Sequence, residues 1–173
     1  MNIRFLLSSL GTILIFISSV QGIEPPEWYI KFEQIQLMRS TRKDVENLFN
    51  HPTYKETSGK GWSQSVYYEL EEGTLSVSYS TGRCSEERNR TGYNIDNGIA
   101  IRASIFLPES IRATELNLDL SDFEKYKVKD ADVWIYTNQE LGIQYTGNEQ
   151  IINGIELFPQ TKYKYLSCRN VLK

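Results

Sequence analysis

The sequence predicts an α+β fold, an antiparallel sheet with short helices on one face, and three observations lead there. Runs with period-two alternation of apolar and polar residues outnumber runs with helical spacing. Their connections are mostly of hairpin length. Too few helical segments exist to cover a second sheet face.

The first 22 residues read as a signal peptide. Arg4 supplies a basic start, an apolar run from Phe5 to Ile17 follows with Ser8, Ser9, Gly11 and Thr12 inside it, and Val20 and Gly22 are small residues suited to cleavage after Gly22. A run of about 13 residues is short against the roughly 20 needed to span a bilayer. Residues 23–173 then form a single domain, and no later stretch is apolar enough for a membrane span. The expected location is outside the cytoplasm, periplasmic or secreted.

The mature chain begins with an extended, proline-containing lead-in, Glu24 to Tyr29, and Phe32 to Leu37 fits a short helix or a strand equally well. Thr41 and Asp44 then have the spacing of a capping box, Val45, Leu48 and Phe49 share one face, and Asn50 and Pro52 end the run, which predicts a helix. Val66 to Leu70 and Thr74 to Tyr79 alternate around Gly73 and predict a hairpin. A polar loop over 81–98 carries Cys84, and Ile99 to Leu107 is a third strand, stopped by Pro108.

The second half repeats this order. Ser121 to Glu124 reads as another capping box opening a short helix, with Phe123 and Tyr126 as its apolar contacts. Val133 to Tyr136 and Leu141 to Tyr145 read as a hairpin, and Ile151 to Phe158 as a last strand ending at Pro159. Leu75, Val77 and Tyr79 match Leu141, Ile143 and Tyr145 at a constant offset. Candidate halves are therefore 32–108 and 116–168, although any two amphipathic hairpins share such a pattern.

Charge and composition narrow the function classes. The chain has 19 Lys and Arg against 22 Asp and Glu, with no run of about five or more like charges, so it lacks the basic cluster that nucleic-acid binding requires. The two cysteines, Cys84 and Cys168, have one intramolecular pairing. In an oxidising compartment a disulfide is expected, against two buried thiols or an intermolecular link.

Chemistry-bearing motifs are sparse. One His and two cysteines leave any metal site to carboxylates. The acidic series Asp119, Asp122, Glu124, Asp130 and Asp132 lacks calcium-loop spacing and reads as a capped helix start with solvated charges. His51, at a helix end, is a poor partner for a Ser or Cys nucleophile, and no Gly-rich phosphate loop occurs. A glycosidase needs only two carboxylates, but Glu69, Glu71 and Glu72 sit near a turn where solvated charges are the usual case. The expectation is no catalytic residue, no metal and no cofactor. Aromatics are the surplus, and Trp62, Tyr67, Trp134 and Tyr136 are the candidate binding surface, read against the alternative that strand Tyr residues simply suit sheets. Asn89-Arg90-Thr91 is a glycosylation sequon.

The segment Ser40 to Pro52 and the hairpin from Val66 to Tyr79 resemble the SmpA/OmlA superfamily, whose architecture is shared by beta-lactamase-inhibitor-like proteins. Thr41, Val45, Leu48 and Asn50-His51-Pro52 occupy the places of its helix opening, sheet-facing pair and Gly-x-Pro stop. The chain also resembles a set of exported bacterial proteins opening with Ser-Thr-Arg-x-Asp-Val-Glu-x-Leu, with Tyr79 to Cys84 and Leu166 to Cys168 matching two further segments. Asn50 replaces Gly, and no lipid-bearing Cys follows the leader. The resemblance implies a helix-and-sheet architecture used mainly for protein binding, with no catalytic residue to transfer. The expected role is an exported, non-enzymatic module whose partner is another envelope or extracellular protein; the alternative is a small-ligand or glycan-binding protein or, further off, a hydrolase, with its cleft where the halves meet.

Overall fold

Alternating side chains place eight strands in one antiparallel sheet: β1 (Tyr54–Thr57), β2 (Ser63–Glu69), β3 (Thr74–Ser80), β4 (Ala100–Arg112), β5 (Glu124–Lys127), β6 (Trp134–Asn138), β7 (Ile143–Gly147) and β8 (Ile151–Leu157). The computed structural model describes residues 24–57, 63–87, 89–148 and 150–172; the expected leader and Trp62 lie outside the described residues. The strand order is β1-β2-β3-β4-β8-β7-β6-β5, so two four-stranded meanders meet where β4 pairs with β8. The α+β class and the antiparallel sheet are as the sequence predicts.

Register explains which face is buried. One row of directly opposed residues runs Val66, Val77, Ala103, Leu157, Ile143, and the next runs Tyr68, Leu75, Ile105, Ile155, Tyr145, Tyr136. Apart from half-buried Leu157, all of these are buried in a single core cluster. The row between them, on the outer face, runs Tyr67, Ser76, Ser104, Glu156, Gln144, Thr137. One-residue alternation therefore assigns core and outer side chains across both meanders at once.

Helices cover the inner face. α1 (Glu27–Glu33) starts directly after Pro26, whose carbonyl accepts from the Tyr29 and Ile30 amides, and it buries Trp28, Tyr29 and Phe32. The extended lead-in expected over Glu24–Tyr29 thus stops at Pro26: proline cannot continue a helix backward but is well suited to its first positions. α2 (Arg42–Phe49) has the predicted capping box, with the Thr41 hydroxyl accepting from the Asp44 amide and the Asp44 carboxylate accepting from the Thr41 amide. Asn50 ends it at φ 64° and ψ −155°, a positive φ as expected but with an extended ψ. Phe49 lies against Tyr68, with ring centroids 6.2 Å apart, so α2 covers the first meander. The Tyr29 hydroxyl meets that of Tyr145 at 2.7 Å, so α1 covers the second.

Among the described residues the second meander has no α-helix between its strands. The helix expected from Ser121 is a single tight turn, Leu120–Asp122, capped by Asp119, which accepts from the Ser121 amide; the chain then enters β5. A helix of that length is marginal, whereas β5 gains a full ladder with β6, pairing Tyr126 with Ile135 and Lys125 with Tyr136. Residues 113–123 cross the inner face from β4 to β5, burying Ala113 and Leu116 and packing Leu118, Leu120 and Phe123 on the core. Pro108 does not stop β4. The β4–β8 pairing shifts between Phe106 and Ile111, and a proline there has no ladder hydrogen bond to lose.

The long loop is tied down by the chain's end. Cys84 is disulfide-bonded to Cys168 in α3 (Cys168–Val171), the Asn94 amide donates to Leu166, and the Cys168 amide donates to Gly92. No helix among the described residues is long and apolar enough to cross a membrane.

Two stability effects follow. Thr41→Ala should lower the unfolding free energy by about 1 kcal/mol in urea titration. Its Asp44 partner is held below the ordinary carboxylate value by the Thr41 amide and hydroxyl. That contribution is present at neutral pH and is lost as pH falls through the lowered pKa, so Asp44→Asn should shrink the difference in stability between pH 7 and about pH 3.

Candidate functional site

Two surfaces remain outside the packing just described: the outer sheet face, and a cavity at one end of the inner face.

The outer face has a floor of small polar residues. Ser65 pairs with Ser78, their hydroxyls 3.1 Å apart, Ser76 faces Ser104, and Arg102 forms an ion pair with Glu156 at 2.7 Å. Three large side chains stand above this floor: Phe106 is 64% exposed, Tyr54 58% and Tyr126 48%. Phe106 lies opposite Gly154, which offers no side chain to cover it, and Tyr126 lies opposite Ile135. Tyr54 packs on Tyr67, with centroids 5.5 Å apart. At the end where the 81–98 loop begins, Ser63 and Ser80 are buried, so the open area is bounded there.

The sequence-based candidates divide between faces. Tyr67 is on the outer face. Trp134 and Tyr136 are on the inner face, because β6 pairs Tyr136 with Tyr145. Tyr136 is only 4% exposed and belongs to the core, which corrects its assignment as a surface residue. Trp134 is half-buried, with the Lys125 ammonium 4.1 Å from its ring centroid and that of Lys127 at 5.7 Å. The exposed aromatics of the outer sheet face, Tyr54, Phe106 and Tyr126, were missed. Parity within the strand already read over Ile99 to Leu107 would have found Phe106, since Ile105 and Leu107 on either side of it are core residues.

The cavity, of about 760 Å³, opens at the end of the second meander where β6 turns into β7 and β8 ends. Its base is Ile143, Tyr145 and Leu157. Its walls come from the α1–α2 connector, the 113–123 crossing and the segment after β8. Gly142 sets the rim: its φ is +70°, it donates to Asn138 and accepts from Phe158, and a Cβ there would meet the Phe158 carbonyl oxygen at 2.4 Å. Burial pushes the Tyr145 phenol up to about 12, and burial also raises Tyr29, its hydrogen-bond partner; the Glu33 carboxylate at the cavity wall acts in the same direction on both. Both phenols therefore stay protonated at neutral pH and serve as hydrogen-bonding groups. The acidic series does not converge: Asp119 caps a turn and Asp132 pairs with Lys127 at 3.2 Å. Among the described residues, no three His, Cys, Asp or Glu side chains are grouped to hold a metal ion.

No family model and no curated protein matches this chain. Among solved structures it is similar to the DUF4309 family protein YjgB from Bacillus subtilis subsp. subtilis str. 168, at 14% identity and a TM-score of 0.41, over 80% of this chain and 88% of that one.

Two outcomes test this geometry. Tyr29→Phe and Tyr145→Phe each leave a buried hydroxyl without its partner and should each cost about 1–3 kcal/mol, while the double variant should cost less than the sum, as a double-mutant cycle in urea will measure. Asn89 is 1% exposed, its amide donates to Gly82 and Tyr93, and its carbonyl accepts from the Gly92 amide. The folded sequon has no amide nitrogen to offer, so the chain secreted from a eukaryotic host should carry no glycan at Asn89 by intact mass.

Proposed function

We propose that this protein is an exported, non-catalytic binding module that docks an envelope or extracellular protein on the outer face of its sheet. The observation that carries this reading is the unmatched outer face. Its inner counterpart is covered by α1, α2 and the crossing segment, whereas the outer rows present Tyr54, Phe106 and Tyr126 around a floor of Ser and Thr. Tyr and other aromatics anchor interfaces because they bury large rigid surfaces at low entropic cost. The central Arg102–Glu156 pair, half-exposed on the Arg side, gives such an interface a fixed polar reference point.

Two further points support the reading. The disulfide between Cys84 and Cys168 suits an oxidising compartment, in line with the leader expected over residues 1–22. The resemblance of the Thr41 helix and its hairpin to the SmpA/OmlA superfamily points to an architecture that binds proteins.

Chemical cross-linking of the tagged chain in its native envelope or secreted fraction, with adducts identified by mass spectrometry, tests this. A stoichiometric protein adduct is expected, reduced at least about tenfold in the Tyr54→Ala/Phe106→Ala/Tyr126→Ala variant, which corresponds to loss of about 1.4 kcal/mol or more of binding energy. An adduct unaffected by the triple substitution, or no reproducible adduct, would overturn the assignment of this face.

A further inference from the structure

The cavity at the end of the second meander is on the opposite side of the sheet from the proposed docking face, and its lining has a chemistry of its own. Three half-buried aromatic rings border it from separate segments: Phe123 from the crossing, Phe158 directly after β8, and Tyr163 from the turn Thr161–Leu166. Phe123 is held edge-on against Tyr145 with centroids 5.5 Å apart, the Lys162 ammonium lies 5.2 Å from the Tyr163 centroid, and each of the three rings keeps part of its surface exposed.

Polar groups between the rings are fixed in place. Asp119 accepts from the Ser121 amide through one oxygen, Asn138 accepts from the Glu140 and Leu141 amides through its carbonyl, and Gln160 donates from its amide nitrogen to the Leu141 carbonyl. Each bond uses one end of a two-ended group. The Ser121 hydroxyl also bonds the Asp119 carboxylate; the remaining Asp119 lone pairs, the Asn138 amide nitrogen and the Gln160 carbonyl retain hydrogen-bonding capacity, so both acceptors and donors are available in pre-set orientations.

Charges of both signs line the wall. Glu33, Asp119 and Asp122 face Arg39 and Lys162 around the same opening. A strongly anionic or cationic ligand would meet like charge as well as opposite charge there. A neutral ligand with many hydroxyls would find planar donors and acceptors for the hydroxyls and aromatic rings for its C–H faces. The volume is within the usual range for small-molecule sites, about 300–1,000 Å³.

We propose that this cavity is a binding site for a neutral saccharide, of mono- or disaccharide size. Phe158 and Tyr163 give the sugar ring its apolar contact, and Asp119, Asn138 and Gln160 bind hydroxyls through their remaining ends. The disulfide has a part in the site, since Tyr163 and Gln160 lie on the segment that Cys168 anchors to the 81–98 loop.

The test is titration calorimetry and saturation-transfer NMR on the chain from residue 23 onward, using glucose, N-acetylglucosamine, maltose and chitobiose at millimolar concentration, with benzylamine and benzoate as charged aromatic comparators. Saturable binding of at least one saccharide is expected, weakened about tenfold or more in both Tyr163→Ala and Asn138→Ala. Asp122→Ala, at an exposed wall position that ends the turn Leu120–Asp122, should weaken the same binding by a smaller factor. Phe106→Ala, on the far face, should leave it unchanged, which separates this site from the protein-docking face. Binding of none of the four saccharides, binding of benzylamine or benzoate alone, or saccharide binding unchanged in all three cavity variants would overturn the proposal.

Discussion

An eight-stranded sheet has two faces, and the described residues supply apolar side chains and covering segments for one. The dependence is clearest at the second meander, which among the described residues has no α-helix between its strands: α1, more than a hundred residues away in sequence, lies on it, and Tyr29 and Tyr145 join hydroxyl to hydroxyl in the core. Tyr68 and Tyr79 meet in a looser pair in the first meander, at 3.3 Å. Both pairs satisfy phenols that burial would otherwise leave costly, and both tie the chain to a single strand register. With α1 and α2 dividing the inner face between them, no segment among the described residues covers the middle of the outer face.

The end of the sheet is organised by a second constraint, closure of the long loop. A stretch such as 81–98 has too little apolar content to hold itself, and it is secured by the disulfide, by backbone bonds to 166–168 and by the Asn89 side chain. The segment between β8 and Cys168 thereby becomes one wall of the cavity. Fixing that wall covalently reduces the ordering a ligand would otherwise have to supply.

Local signals were legible in the sequence and long-range ones were not. The Thr41–Asp44 box, the Gly73 hairpin and the β6–β7 hairpin are set by neighbours a few residues apart and all three form, although Leu141, read as a strand residue, lies exposed in the β6–β7 turn. Ser121 to Glu124 has the same local box pattern as Thr41 to Asp44, but Val45 and Phe49 give α2 a sheet to bury against, whereas the residues after Ser121 find a strand partner in β6. Pro108 reads as a stop because its effect depends on a pairing gap that only the β4–β8 register reveals. Tyr136 and Tyr67 look alike in sequence and lie on opposite faces. The cavity draws on five segments from α1 to the residues after β8, a convergence that no spacing rule along the chain encodes.

The division of the sheet into one packed and one open face is the claim from which the docking surface and the separate cavity both follow. Hydroxyl-radical footprinting of the free chain, with oxidation quantified residue by residue, measures it directly. The expected result is ready oxidation of Tyr54, Phe106 and Tyr126 alongside protection of Tyr29, Tyr68, Tyr79 and Tyr145. Protection of Phe106 and Tyr54 in the free chain, or oxidation of Tyr145 to the same extent as Tyr126, would contradict it.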